Sequence, residues 1–122
     1  MDAQRVIEES IPMLADVLGS IGLHQHGTPL DFARLREPFS SWLQQQAVAQ
    51  EDFAFLVSIV AAFISEYLIQ QSGAQRYVAG EQILLRLPVQ SGVASEFDPY
   101  ATAVGLVRER HSLATFLATV RT

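Results

Sequence analysis

Apolar residues dominate the stretch from Phe53 to Ile69, in which only Ser58, Ser65 and Glu66 are polar. A helix that is apolar nearly all round has no solvated face, so its neighbours bury it. Crossing a bilayer takes about 20 apolar residues, and the run here ends at Ile64, short of that length. The pattern therefore predicts the central core helix, over about residues 51–71, of a soluble domain without a membrane partner.

Side-chain size distinguishes two edges of this predicted helix. At about 100° per residue, small side chains align on one edge, at Ala54, Ser58, Ala61 and Ser65. Bulky side chains occupy the opposite edge, at Phe53, Leu56, Val60, Phe63 and Tyr67. Because small residues let another backbone approach closely, we expect neighbours on both edges. The main core should lie on the bulky edge and include Leu56 and Phe63.

An amphipathic helix over about residues 2–18 precedes the core helix. Its apolar residues recur at helical spacing, at Ile7, Ile11, Leu14, Leu18 and Ile21. Pro12 falls inside this stripe and removes a backbone hydrogen bond. We therefore expect the regular part of the helix to begin at Ser10, a residue type that caps helix starts well.

A second helix is predicted to start at the sequence Thr28-Pro29-Leu30-Asp31. Thr28 is a suitable N-cap, proline is favoured at the first helical position, and Asp31 places an acid near free amides. Apolar residues follow on one side, at Phe32, Leu35, Phe39, Trp42 and Leu43. Pro38 lies within this pattern and is expected to kink or split the helix.

Alternating apolar and polar residues replace the helical period after the core helix. Residues 76–87, with a turn at Ala79-Gly80-Glu81, predict an antiparallel β-hairpin. The apolar face of its second strand holds Ile83, Leu85 and Leu87. Pro88 is expected to end this strand or to place it at a sheet edge, and residues 89–97 are expected to be irregular.

Two further helix starts are visible in the C-terminal part. Asp98-Pro99 combines a capping acid with a first-position proline, and Ser112 is a suitable cap for a short final helix. The elements together predict an α+β fold in a single globular domain over residues 1–122. Four to five helices would pack around the central helix, with a small antiparallel hairpin. An all-α bundle is the alternative, because the leucine-rich residues 82–87 also suit a helix.

Composition narrows the class of protein. The chain has 122 residues, of which 49% are hydrophobic and 17% charged, enough for a core of its own. It has no cysteine, which excludes disulfides, thiolate nucleophiles and cysteine-based zinc sites. Lysine and asparagine are absent too, which favours a GC-rich bacterial source because their codons are AT-rich. Acidic, amphipathic sequence directly follows Met1, where a secretory signal would be basic and then apolar, so a cytoplasmic location is expected.

Negative charge concentrates in the first half of the chain. Residues 1–61 hold eight acids against three arginines, residues 62–122 hold five of each, and the net charge is −5. An acidic domain repels phosphate backbones, so binding to nucleic acid is disfavoured. The acidic half instead favours a basic protein partner. An ordinary acidic surface of a soluble protein is the alternative.

The sequence lacks the common motifs of catalysis and nucleotide binding. It contains no G-x-S-x-G, G-x-G-x-x-G or P-loop pattern. The candidate metal ligands are His24 and His26, with Asp31 nearby, because imidazoles two residues apart can reach one ion and a carboxylate can add a third ligand. No fourth ligand is evident, so neither a metal nor a cofactor is predicted.

The predicted loop over residues 91–100 is the preferred partner-binding surface. It holds Glu96, Phe97, Asp98 and Tyr100, and aromatic residues beside charges are typical of protein interfaces. Two alternatives remain open. Phe97 fills the core beneath the loop in one, and Asp98 serves as a helix cap in the other.

A pocket between the hairpin and helix three is the alternative site. Its polar groups would be Glu66, Arg86 and His111, which suit small-molecule binding or hydrolysis. Glu66 has a second explanation, an ion pair with Arg76 or Arg86. His111 belongs to a basic cluster after an apolar helix, where cations complement the helix dipole.

The sequence therefore favours a non-catalytic bacterial protein-interaction domain over an enzyme. Small bacterial proteins that neutralise toxins or escort secreted proteins are similar in size and charge. The charge asymmetry, the loop over residues 91–100 and the lack of catalytic motifs favour an immunity-, antitoxin- or chaperone-like role. A small-molecule-binding or hydrolytic domain is the alternative. We also expect a homodimer, because apolar residues are abundant for this length and the hairpin has an edge open to pairing.

Overall fold

The structure is a computed structural model that describes residues 3–24, 29–46, 49–80, 82–90 and 93–119. Within these residues the chain forms five helices and one three-stranded antiparallel sheet, so the predicted α+β class is confirmed and the all-α alternative is wrong. The helices are α1 (Ala3–Ser20), α2 (Phe32–Gln44), α3 (Gln50–Ser72), α4 (Pro99–Glu109) and α5 (Leu113–Thr119). The strands are β1 (Gln75–Ala79), β2 (Gln82–Gln90) and β3 (Val93–Phe97).

Helix α3 lies at the centre and packs against α1, α2, α4 and the sheet. Phe63 on its bulky edge stacks on Phe39 of α2, with ring centroids 4.5 Å apart, and meets Phe32 edge-on at 5.2 Å. Leu56 and Phe63 are both buried, as predicted. Aromatic pairs of these geometries stabilise a core beyond the burial of their area. This cluster is therefore a principal contact between α3 and α2.

By length and composition, α3 is able to cross a membrane. In its most apolar window, however, 61% of the residues are buried by the rest of the fold. A helix whose apolar surface is covered by its own domain has little apolar surface available for contact with lipid. The burial is therefore consistent with the core helix of a soluble protein.

The two prolines inside helices do not interrupt them, so the predicted splitting of α2 at Pro38 is wrong. Helix α1 runs unbroken across Pro12, and α2 runs unbroken across Pro38. Both prolines are exposed, so water can reach a carbonyl that lacks its amide partner, while the apolar face of each helix stays on the core. The prediction that Ser10 caps α1 is consequently wrong, because Ser10 lies buried inside that helix.

Helix α2 starts later than predicted, at Phe32. Its N-cap is Asp31, whose side chain accepts a hydrogen bond from the backbone N–H three residues on. Thr28, the predicted cap, lies outside the described residues. At the other end, the guanidinium of Arg110 donates to the backbone carbonyls of Gln44 and Gln46, at 2.6 and 2.9 Å. A residue far along the chain thus supplies hydrogen-bond donors to carbonyls that have no partner within their own helix.

Both helix starts predicted in the C-terminal part are confirmed. Asp98 caps α4, because its side chain accepts the backbone N–H groups of Tyr100 and Ala101. The Ser112 hydroxyl accepts the N–H three residues on, at the start of α5. Between the two helices, Arg110 adopts a left-handed backbone conformation with φ of 57°. This residue turns the chain after α4 ends.

The sheet has the strand order β1-β2-β3, with β2 in the centre. Strands β1 and β2 form the predicted hairpin, in which Ala79 lies opposite Gln82. The predicted apolar face is buried, at Ile83, Leu85 and Leu87. A third strand was not predicted: β3 pairs antiparallel with β2, and Phe97 lies opposite Leu85. The expectation of an irregular segment over residues 89–97 is therefore wrong for most of its length.

Pro88 does not end β2, which continues to Gln90. The register between β2 and β3 is irregular between Leu87 and Gln90, a span that contains Pro88. Because proline has no N–H for the ladder, an irregularity of this kind accommodates it within a strand.

Candidate functional site

The first two turns of α3 are less covered than the rest of the helix. On the small-residue edge, Ala61 and Ser65 are buried, whereas Ser58 is half-buried and Ala54 is exposed. Helices α1 and α4 pack on the buried part of this edge. Helix α4 has 11 residues against the 23 of α3 and ends at Glu109, so it leaves the start of α3 open.

Two adjoining concavities occupy this open region. The first, of about 690 Å³, is lined by Gln50, Phe53, Ala54, Val107, Arg108 and Arg110. The second, of about 450 Å³, reaches α1, and its lining includes Glu9, Ser10, Met13, Val57, Tyr100 and Val104. Phe53 and Ala54 line both concavities. We call the two together the α3–α4 groove.

Charged residues line both concavities of the α3–α4 groove, Arg108 and Arg110 in the first and Glu9 in the second. In the first concavity, the guanidinium carbon of Arg108 lies 5.5 Å from the centroid of the Phe53 ring, within cation–π range. Arg108 is exposed and forms no ion pair with any other residue that the structure describes. In the second concavity, Glu9 pairs with Arg5 at 3.0 Å on the exposed side of α1. The groove therefore combines apolar surface with charges of both signs.

Two hydroxyl groups meet at the wall of the second concavity. Ser10 Oγ of α1 and Tyr100 Oη of α4 are 3.2 Å apart. Ser10 is buried and Tyr100 is half-buried, so their hydrogen bond joins α1 to α4 at the base of the groove. Activating either hydroxyl as a nucleophile requires an adjacent general base, and the acid that lines this concavity, Glu9, is bonded to Arg5.

Glu96, predicted to bind a partner, lies on the solvent face of the sheet. Its carboxylate accepts a hydrogen bond from the Tyr77 hydroxyl and lies 3.7 Å from the guanidinium of Arg86. The Arg86 guanidinium also lies 4.9 Å from the centroid of the Tyr77 ring. These three residues join all three strands across one face. Their polar groups therefore already interact with one another.

The other three predicted partner-binding residues have different surroundings. Asp98 is occupied as the cap of α4. Tyr100 lines the second concavity of the α3–α4 groove. Phe97 ends β3, and its side chain lies outside the described part of the structure. Of the three residues whose side chains the structure describes, Tyr100 is the one that lines the groove.

The three polar residues predicted to line a pocket do not converge. Glu66 of α3 pairs with Arg76 of β1 at 2.7 Å, which is the ion pair considered from the sequence. Arg86 lies on the solvent face of the sheet, and His111 lies after α4, with Nε2 3.4 Å from the carboxylate of Glu109. The cavity between the sheet, α1 and α3 has a volume of about 10 Å³, which is room for a single water.

Two of the three candidate metal ligands share a concavity. His24 and Asp31 line a space of about 410 Å³ beside the start of α2. His26 lies outside the described residues. Among the residues that the structure does describe, no group of three or more histidine, aspartate or glutamate side chains is arranged to hold a metal ion.

The groove residues Phe53 and Ala54 were not predicted as a site from the sequence. From the sequence, their apolar character predicts a buried helix, and Arg108 is predicted to lie in a basic cluster at the end of a helix. The predicted lengths of α3 and of the helix that begins at Pro99 could have indicated the groove. The helix α3 has 23 residues and the helix that begins at Pro99 has 11, so the shorter helix cannot cover the whole length of the longer one.

Comparison with known proteins assigns no family to this arrangement. No protein-family model matches the chain, and searches of curated proteins and of solved structures find no significant match. The interpretation of the α3–α4 groove therefore rests on the residues and geometry of this chain.

Proposed function

We propose that the protein is a non-catalytic protein-interaction domain that binds an apolar segment of a protein partner in the α3–α4 groove. The observation that carries this proposal is the open start of α3, where Phe53 and Ala54 join concavities of about 690 and 450 Å³. From Leu56 to Leu68 most residues of the same helix are buried. An apolar face left open on an otherwise packed domain is typical of an association site.

The lining of the groove supports a protein partner over a small molecule. Phe53 and Tyr100 supply aromatic surface, and Arg108 and Glu9 supply charge, a combination that is common in protein interfaces. A groove between helices also suits an amphipathic helix, which would place its apolar side chains in both concavities. Small-molecule sites instead enclose their ligand and aim several polar groups at it.

The polar groups of the groove support a binding role over a catalytic one. Ser10 and Tyr100 are hydrogen-bonded to each other, and the Glu9 carboxylate is bonded to Arg5. A nucleophile would need one of these groups to act as a base on another. The bond between Ser10 and Tyr100 joins α1 to α4, and the bond between Arg5 and Glu9 lies within α1.

Exposed acids elsewhere add a second element to the proposal. Asp16, Glu51 and Asp52 are exposed and form no ion pair within the described part of the chain. Their field would attract a basic partner and speed its approach. We place the domain in the cytoplasm of a bacterium, in an immunity-, antitoxin- or chaperone-like role.

Substitution of Ala54 tests the groove directly. Ala54→Arg would place a long charged side chain where the two concavities join, whereas Ser41→Arg adds the same side chain to the exposed face of α2. Each purified protein is immobilised and exposed to a lysate of the source cells at low and at high salt. Captured proteins are identified by mass spectrometry, purified and titrated against each variant by calorimetry.

We expect the wild type and Ser41→Arg to bind the same protein with similar affinity, and Ala54→Arg to bind it at least about tenfold more weakly, a loss of about 1.4 kcal/mol. If Ala54→Arg binds the partner with the same affinity as the wild type, the partner does not bind in the groove. The absence of any bound protein at both salt concentrations, the chain itself included, would contradict the proposal as a whole.

A further inference from the structure

We propose that one ordered water occupies the small cavity between the sheet, α1 and α3, bound by Ser65, Arg76 and Tyr100. The cavity has a volume of about 10 Å³, and one water needs about 10–15 Å³. Ser65 belongs to α3, Arg76 to β1 and Tyr100 to α4. A single water thus joins three elements at one point inside the fold.

Both polar and apolar side chains line this cavity. The polar ones are Ser10, Ser65, Arg76 and Tyr100. Ser10 and Ser65 are 6% and 4% accessible, so their hydroxyl groups are screened from bulk solvent. The remaining lining is apolar and includes Ala62 and Ile83. A cavity of this size holds a water when several polar groups face it, whereas an apolar cavity stays dry.

Ser65 supplies a hydrogen-bond acceptor. Its hydroxyl donates to the carbonyl of Ala61, one turn earlier in α3, with the two oxygens 2.8 Å apart. The Ser65 oxygen also has two lone pairs, to which no described residue donates. Because a buried acceptor without a partner costs free energy, a water that donates to Ser65 Oγ stabilises this part of the core.

Arg76 and Tyr100 supply the other two partners. The guanidinium of Arg76 carries five N–H donors, and Nη2 donates to the Glu66 carboxylate at 2.7 Å, which leaves further N–H groups for a water. Tyr100 Oη lies 3.2 Å from Ser10 Oγ, and either oxygen can be the donor of that bond. A water both donates and accepts, so it matches Tyr100 in either case. It then makes about three hydrogen bonds, the usual number for a buried water.

The charges beside the cavity favour a water over an ion. Glu66 neutralises Arg76 across their 2.7 Å ion pair, so no net charge remains to compensate an anion for its lost hydration. A metal cation would lie against the guanidinium of Arg76, which repels it. A neutral molecule that donates and accepts is the ligand that these groups suit.

The Ser10–Tyr100 pair also borders the α3–α4 groove. Both residues line the second concavity as well as this cavity, so their hydrogen bond lies between the two spaces. A water on the inner side holds the Tyr100 hydroxyl where it also bonds to Ser10 Oγ. The water therefore helps to fix the aromatic ring at the base of the groove, whatever the groove binds.

A crystal structure of the wild type, at a resolution that shows ordered waters, tests whether the cavity is occupied. We expect one peak of electron density at about 2.7–3.2 Å from Ser65 Oγ, from a guanidinium nitrogen of Arg76 and from Tyr100 Oη. A cavity without density would overturn the inference, and so would density that refines as a metal ion or a halide.

Substitution of Ser65 tests the bond to the water by the sign of its effect. Alanine is the better helix former, and a serine bonded to the carbonyl one turn earlier slightly destabilises a helix. Without a water, Ser65→Ala should therefore raise the midpoint of urea denaturation. With a water in place, Ser65→Ala removes its acceptor, and we expect the midpoint to fall.

Ser58→Ala is the matched control. Ser58 lies on the same edge of α3, about two turns earlier, is half-buried and is not among the residues that line the cavity. We expect the midpoint of Ser58→Ala to equal or exceed that of the wild type. A midpoint of Ser65→Ala that does not fall, or an equal fall in both variants, would overturn the bond between Ser65 and the water.

Discussion

The side chain of Gln70, in the last turn of α3, accepts a hydrogen bond from the backbone N–H of Phe32, with Oε1 and N 2.8 Å apart. The same amide donates through Nε2 to the carbonyl of Leu30, also at 2.8 Å. One amide of α3 thus satisfies a free donor at the start of α2 and a free acceptor just before it. The start of α2 is therefore held by another helix as well as by its own cap.

Removal of this amide should destabilise the protein. We expect Gln70→Ala to lower the free energy of unfolding by about 1–2 kcal/mol, because two backbone groups lose their partner. Gln71→Ala is the matched control, since Gln71 is exposed and its substitution should change stability by less than about 0.5 kcal/mol. Urea denaturation measures both values, and equal stability of the two variants would contradict this role for Gln70.

The aromatic cluster around Phe63 should be the most sensitive part of the core. Phe63 is fully buried and stacks on Phe39, so Phe63→Ala should lower the free energy of unfolding by about 3–5 kcal/mol through lost burial and a cavity. Leu56→Ala should cost about 2–5 kcal/mol for the same reason. Phe55→Ala provides the control, because Phe55 on the same helix is 43% exposed. A loss at Phe55 as large as that at Phe63 would refute the assignment of the core.

The ion pair between Glu66 and Arg76 should stabilise the contact between α3 and β1. Its side chains are 22% and 18% accessible, and their 2.7 Å bond is shielded in part from water. We expect Glu66→Gln and Arg76→Met each to cost about 1–3 kcal/mol, and the double variant to cost less than the two together. Arg5→Met, which removes an exposed pair, should cost less than about 1 kcal/mol. Additive losses in the double-mutant cycle would show that the pair is not coupled.

Gly80 and Gly105 should respond in opposite ways to the same substitution. A Cβ added at either position would meet no atom within 4 Å, so backbone conformation decides the outcome. Gly80 has a φ of 63° in the β1–β2 turn, and alanine there should cost about 1–2 kcal/mol. Gly105 lies inside α4, and alanine there should stabilise by about 0.5–1 kcal/mol. Thermal denaturation of both variants checks the signs, and a shift of the same sign in both would contradict the explanation.

Most of the fold was predictable because its elements carry local signals. The long apolar run marks α3, the left-handed Gly73 ends it, and Asp98 with its proline starts α4. Strand β3 carries no comparable signal, because it spans five residues and follows Pro88. Its existence depends on the free edge of β2, and an edge of this kind becomes available only once the hairpin has formed.

The candidate site was less predictable than the fold, for a physical reason. The α3–α4 groove arises where α4 stops short of the start of α3, so it is a property of two packed helices. Periodicity describes each helix alone and assigns Ala54 to the same edge as the buried Ser65. Tyr100 was singled out for its place in a presumed loop, whereas the structure places it at the start of α4, where it faces the groove.

The distance along the chain between α2 and Arg110 has a consequence for synthesis. Arg110 donates a hydrogen bond to the carbonyl of Gln44, at the end of α2, although it lies 66 residues further along the chain. A ribosome makes the chain in order from its N-terminus. The end of α2 therefore waits for this partner until 66 further residues have been made. We expect nascent chains that stop before Arg110 to leave the end of α2 open to proteases and chaperones, and chains that extend past Arg110 to protect it.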